Sequence, residues 1–125
     1  AQPGDPLSHA VIDALLGAAG LGDIGRHFPP GNAAFKDAAG PELLGETAKM
    51  LKNANQNIKN IDATVQLAAP TLAPNVAAIA AGVAAALGID PARVNIKAKS
   101  GNHLGFVGRG EGIAADAVVL LEAAL

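Results

Sequence analysis

Between residues 61 and 98 the apolar pattern changes period twice, and this limits the fold more than any other feature of the chain. Ile61, Ala63, Val65 and Leu67 alternate with Asp62, Thr64 and Gln66, the mark of a half-buried strand. Residues 74–87 form an alanine-rich run that reads as a helix stopped by Gly88. Val94, Ile96 and Ala98 then alternate with Asn95 and Lys97, a second strand. Strand, helix and strand at this spacing predict a parallel pair with a right-handed crossover. Two strands do not make a stable sheet alone. The expected partners are a neighbouring subunit or strands outside these 125 residues.

The flanking segments read as helices and loops. Asp5 and Pro6 open a helix, because Asp caps well and Pro suits a first helical position. Ala10, Val11, Ala14, Leu15 and Ala18 follow at helical spacing, and Gly20 ends the run. Residues 21–40 are expected to be a loop anchored by Phe28 and Phe35. Pro41 starts a second helix with Leu43, Leu44, Ala48 and Leu51 on one face. Four asparagines between Asn53 and Asn60 predict a turn. The stretch from Glu111 to Ala124 is expected to close the chain as a helix. No repeat or linker divides the sequence, so residues 1–125 are expected to form a single α/β domain: a mixed sheet with helices on one face.

Composition narrows the partners. Alanine supplies 29 residues and aromatics only three, so the core buries little area per residue. Burial between subunits would offset this, and an oligomer is expected. A net charge of −2 argues against sequence-independent nucleic-acid binding, which needs a basic face. No apolar run reaches the ~18 residues of a membrane span, and no signal peptide is visible. The lack of cysteine excludes disulfides and thiolate metal sites. The joint absence of Cys, Trp and Tyr is unusual for a natural enzyme and leaves an engineered or generated origin open beside a natural one.

Two segments carry candidate chemistry. Leu104 to Ala114 holds glycines at 105, 108, 110 and 112, which predict a turn running into a helix start. Free N–H groups there would attract an anion. No lysine follows the glycines, so this is not a nucleotide-binding P-loop. His9 and Asp13 are four apart and share a helix face. They read either as a surface pair or as an imidazole oriented by a carboxylate for a metal. His27 and His103 have no partner in sequence and read as surface residues. No Ser-His-Asp arrangement or paired carboxylates stand out.

The wording of Leu104–Ala114, together with the block from Asp13 to Gly25, resembles the methylerythritol cyclodiphosphate synthases of the non-mevalonate isoprenoid pathway. The resemblance implies a homotrimer whose sheets face a threefold axis, with helices outside. It implies a bacterial-type cytoplasmic enzyme that turns a cytidine-diphospho-methylerythritol phosphate into the cyclic diphosphate and CMP. It implies zinc with magnesium or manganese. By the same resemblance His9 would be one of three metal ligands, with Asp13 behind it. Asp23 and Gly25 would meet the ribose, although Asp23 also reads as a plain loop cap. Pro70 and Leu72 would belong to the cytidine pocket. Ala98, Lys99 and Ser100 would be substrate-binding, with the Ser100 hydroxyl polarising a phosphate and Lys99 repelling a cation or recruiting an anion, although Lys99 to Asn102 also reads as a plain turn. Phe106 and Arg109 would line a cavity on the axis that accepts an anion or an isoprenoid phosphate. The alternative there is that Arg109 pairs with Glu111 or Asp116.

The chain also departs from that pattern. The other two metal ligands of the family, an Asp-x-His on its first strand, are not in this sequence. The family's His-Ser-Asp-Gly-Asp reads Ala1-Gln2-Pro3-Gly4-Asp5. Pro30 and Asn32 replace two acids, Thr71 replaces a lysine, and Asn102 replaces an acid that holds the second cation. The expectation is therefore that no metal binds tightly and that activity is lost or much reduced. A non-catalytic trimeric scaffold on the same fold is the alternative.

Overall fold

Val11, Ile12, Leu15 and Leu16 occupy two adjacent columns of one helix, and all four are fully buried. That helix, α1 (Asp5–Ala18), is the firmest anchor of the fold. The computed structural model describes residues 5–29, 39–68, 75–100, 105–109 and 112–125. After α1 come a one-turn α2 (Ile24–His27), α3 (Gly40–Asn53) and β1 (Gln56–Gln66). Then follow α4 (Val76–Leu87), a single 3₁₀ turn at Pro91–Arg93, β2 (Val94–Lys99), a one-turn α5 (Gly105–Gly108) and β3 (Ala114–Ala123).

The predicted parallel pair and its connecting helix are present. β1 and β2 run parallel, with Ile61 opposite Val94 and Gln66 opposite Lys99, and α4 lies between them in the chain. Gly88 stops α4 at φ 72°, where the Ile89 N–H reaches Ala84 O at 3.0 Å. The Phe28 anchor is buried, whereas Phe35 lies outside the described residues.

The sheet differs from the expectation at its third strand. The end of the chain is not a helix: residues 114–123 form β3, antiparallel to β1 in a sheet of order β2-β1-β3. Two strands alone would need outside partners, yet β3 completes three strands within the chain. Ala115, Ala117, Val119 and Leu121 point to the helices, and Asp116, Val118, Leu120 and Glu122 point away. Both sets contain apolar residues, so the alternation is masked in the sequence. Pairing with β1 overrides the helical preference of the alanines.

Two smaller corrections concern the loops. The asparagine-rich turn is confined to Ala54 and Asn55, and β1 begins at Gln56. Asn55 takes φ 58°, a conformation its short polar side chain tolerates better than most. The loop after α1 contains α2, although residues 30–38 lie outside the described part.

The helices pack on one face of the sheet. α1 lies against β3 and β1, α4 against β2, and α3 against α1 and α4. Leu44, Leu51, Ile61, Ala63, Ala84 and Ile96 join α1 in one core. Each large side chain buried there contributes about 1.5–3 kcal/mol. Thr47 is the one buried polar residue among those described, and its hydroxyl donates to Leu43 O at 2.8 Å. No described helix is long and apolar enough to cross a membrane.

Candidate functional site

The corner where α1 turns into α2 is tied by several polar bonds. Leu21 N–H closes the end of α1 on Leu16 O at 2.8 Å. Gly22 then turns at φ 96°, and a Cβ there would lie 2.8 Å from Arg26 Cδ. A side chain at 22 would be strained at this φ, which favours glycine, whereas the crowding would be relieved by a shift of the flexible Arg26 side chain. Asp23 caps α2: its Oδ1 accepts from Arg26 N at 3.0 Å. Asp13 reaches across from α1, and its Oδ1 accepts from Ile24 N at 2.7 Å.

This geometry revises two expectations. The resemblance sets Asp13 behind His9, but in the structure Asp13 bonds the Ile24 backbone, eleven residues on. His27 reads from sequence as a surface residue without a partner, but its ring is partly buried and its Nε2 lies 2.6 Å from Leu21 O. Gly25 has no positive φ, and a Cβ there would make only ordinary contact with Asp23 Oδ1 at 3.6 Å. Nothing among the described residues requires a glycine at 25.

His9 is exposed on α1, like Asp13. Among the described residues no three His, Asp or Glu side chains come together as metal donors. A catalytic zinc takes three protein ligands. The described residues do not fit that requirement.

The second group sits at the end of the parallel pair. Because Gln66 faces Lys99, the segments leaving β1 and β2 depart from the same end of the sheet. That end is where parallel sheets present ligand-binding loops. Ala98 is half-buried there, and Lys99 and Ser100 are exposed. Pro70, Leu72, Thr71, Asn102 and His103 lie outside the described residues.

The third group is α5 with its flanks. The predicted glycine turn holds one helical turn, entered at Gly105 with φ 65°. Val107 is buried and anchors it, while Phe106 is 52% exposed. The Phe106 ring lies over Gly112, where a Cβ would come within 3.1 Å of it. Arg109 is exposed, and its N–H bonds Gly105 O at 3.1 Å. Glu111 lies outside the described residues, and Asp116 is on the outer face of β3.

One polar cluster is not visible in the sequence. On the sheet face away from the helices, Asp62 Oδ1 accepts from Asn95 Nδ2 at 3.1 Å and Oδ2 from Lys97 Nζ at 3.0 Å. The hydrogen bond from Asn95, with that from Lys97 and its charge, holds the Asp62 carboxyl below its ordinary value. All three residues are outward positions of the alternation, so the parallel register was the missing information. A groove of about 370 Å³ lined by Leu51, Lys52, Asn57, Ile58 and Ile89 contains none of the expected site residues.

Comparison with known proteins gives a consistent result. Residues 2–122 match the YgbB family. The 2-C-methyl-D-erythritol 2,4-cyclodiphosphate synthase of Laribacter hongkongensis is 54% identical over 121 residues, which cover 97% of this chain and 75% of that protein. The enzyme of the same name from Thiobacillus denitrificans is 52% identical over 94% of this chain and 74% of its own length. Among solved structures, the bifunctional IspDF from Campylobacter jejuni superposes with a TM-score of 0.90 at 39% identity, covering 96% of this chain but only 32% of that longer one. A CDP complex of IspF from Plasmodium falciparum superposes with a TM-score of 0.81 at 26% identity, over 94% of this chain and 70% of that one.

Proposed function

The chain belongs to the YgbB family, and from this we propose that it takes the substrate class its relatives are named for, with much reduced turnover. The reaction is an intramolecular phosphoryl transfer. The 2-phosphate of a cytidine-diphospho-methylerythritol phosphate attacks the β-phosphate, the cyclic diphosphate forms and CMP leaves. Such a transfer depends on positioning and on electrostatic stabilisation of the phosphates.

The observation that carries this reading is the tied corner at Asp13, Ile24 and Asp23. It holds a carboxylate on a fixed backbone turn, and Asp23 keeps an oxygen beyond the one that caps Arg26. A carboxylate so held is suited to accept from the hydroxyls of a ribose. Lys99 and Ser100, at the end of β2, offer a charge and a hydroxyl to phosphate oxygens. Reduced turnover follows from Thr71 and Asn102 standing where the family has a lysine and an acid. Each lost preorganised contact costs about 10²–10³ in rate.

The exposed Val118 and Leu120 on the outer face of β3 favour assembly, in keeping with a homotrimer whose sheets face the axis. Phe106 and Arg109 would then meet their symmetry copies around a site for an anion or an isoprenoid phosphate. Guanidiniums gathered in this way need paired carboxylates or a bound anion. If assembly persists without turnover, the chain is a trimeric scaffold instead. Incubating the protein with cytidine-diphospho-methylerythritol 2-phosphate, zinc and magnesium, and following CMP by chromatography, separates the two. Slow CMP release supports the enzyme. A trimer by sedimentation with no release, and no binding of cytidine diphosphate, overturns it.

A further inference from the structure

Asp13 does not lean on the imidazole four residues before it; its Oδ1 is spent on the backbone of another segment. We infer that Asp13 is a positioning residue for the ribose-facing turn, acting through the Ile24 N–H and not through His9. The inference rests on the nucleotide reading of the site and deepens it.

The reason lies in the shortness of α2. A helix of one turn cannot hold itself, because nucleation costs more than one turn returns. Five pins hold this one: Asp13 on the Ile24 N–H, Asp23 on the Arg26 N–H, His27 on Leu21 O, the buried Phe28 ring and the Ile24 side chain on the core. Three of them are local or lie beyond the turn. Among the described residues Asp13 supplies the one long-range polar bond to residues 23–25, beside the packing of the Ile24 side chain on the core. Its base is rigid, since Val11, Ile12, Leu15 and Leu16 on either side of it are fully buried. Without Asp13 the Asp23 cap would persist, but the turn that carries it would be held to α1 by the non-directional packing of Ile24 alone.

The same bonds set the class of group the turn can take. Carboxylates already occupy the Ile24 and Arg26 amides. The corner therefore presents negative acceptors. It suits the hydroxyl donors of a sugar diol.

The test uses the intact chain and two substitutions, Asp13→Ala and Asp13→Asn. Asparagine keeps a carbonyl oxygen in the accepting place. Hydrogen exchange of the Ile24 amide, read by NMR, and binding of cytidine diphosphate, read by calorimetry, are measured on each. Circular dichroism checks that the fold is retained. Asp13→Ala is expected to speed Ile24 exchange and weaken binding, each by roughly tenfold or more, as loss of a charge-assisted hydrogen bond predicts. Asp13→Asn is expected to recover most of both. His9→Ala made alone and with Asp13→Ala completes a cycle, and additive effects on binding are expected. Unchanged Ile24 exchange in Asp13→Ala overturns the inference alone. So does an Asp13→Ala effect on binding that vanishes in the His9→Ala background, since Asp13 would then act through the imidazole. A native chain that binds no cytidine diphosphate overturns the nucleotide reading itself, and the positioning role of Asp13 falls with it.

Discussion

On the side of the sheet that meets the helices, Ile61 and Ala63 have no exposed surface, whereas on the opposite side Val118 and Leu120 are 72% and 60% exposed. The same three strands build both sides. Strand propensity therefore cannot explain the difference; what covers each side does. α1, α3 and α4 seal the first side. The second carries Val118 and Leu120 among Asp62, Asn95, Lys97, Asp116 and Glu122, with no described helix over it. The apolar residues of the bare side contribute nothing to the core of one chain. Their value lies in what they can meet outside it.

The sharpest way to break this comparison is to truncate equivalent side chains on the two sides. Leu15→Ala removes a fully buried side chain and is expected to lower the unfolding free energy by about 2–5 kcal/mol in urea titration. Leu120→Ala, measured at dilution where the chain is monomeric, is expected to change it by less than about 0.5 kcal/mol. Equal costs at dilution would mean that the outer side is buried within one chain after all.

Assembly gives the next largest effect. If the bare side is covered by copies of the chain, a charge on it costs each contact the burial of a leucine, about 1.5–3 kcal/mol. Leu120→Lys is then expected to shift any micromolar assembly to monomer in sedimentation, with circular dichroism unchanged. A native chain that sediments as a folded monomer at micromolar concentration would leave assembly unable to account for the apolar outer residues.

A smaller test concerns the covered side. Gly88 ends α4 in the left-handed region at φ 72°, with nothing crowding the place of a Cβ. Gly88→Ala should therefore cost only the conformational term, about 1–2 kcal/mol, and lower the melting temperature by several degrees. A cost near that of Leu15→Ala would show that the cap also packs against the core.

The same contrast explains what the sequence could tell. β1, α4 and β2 were legible because one side of each strand is apolar and the other polar, so the period survives in Ile61 to Gln66 and Val94 to Lys97. β3 was not, because Val118 and Leu120 put apolar residues on its outer side as well, and Val118 to Leu121 reads as one continuous run. Its strand character comes from β1, with Leu120 opposite Asn60, and no local pattern records that pairing. The candidate site divides in the same way. The shared face of His9 and Asp13 follows from helical spacing, but the partner of Asp13 does not. Finding Ile24 required the turn at Gly22. The Asp62 cluster likewise required the parallel register, which sets Asp62 opposite Asn95 and Lys97 two residues further on.

The smallest expected effect is the pH response of that cluster. Asp62 is held below its ordinary value of 3.8 by the hydrogen bonds from Asn95 and Lys97. A carboxyl depressed in the folded state lends stability that is complete above the unfolded value. That stability fades as pH falls through the folded value, because the unfolded chain takes up the proton first. The melting temperature of the native chain should therefore exceed that of Asp62→Asn slightly above about pH 5, and the gap should close as pH falls through the folded value, which lies below 3.8. The side chains of Lys97 and Asp62 are 43% and 40% exposed in the single chain, so about 0.5 M salt should narrow the gap at neutral pH. In an assembled trimer the same pair would be shielded from solvent, and salt should narrow the gap less. A gap that widens as pH falls would contradict the assignment. A salt response that is the same at dilute and at micromolar concentration would mean that assembly leaves this side of the sheet open to water.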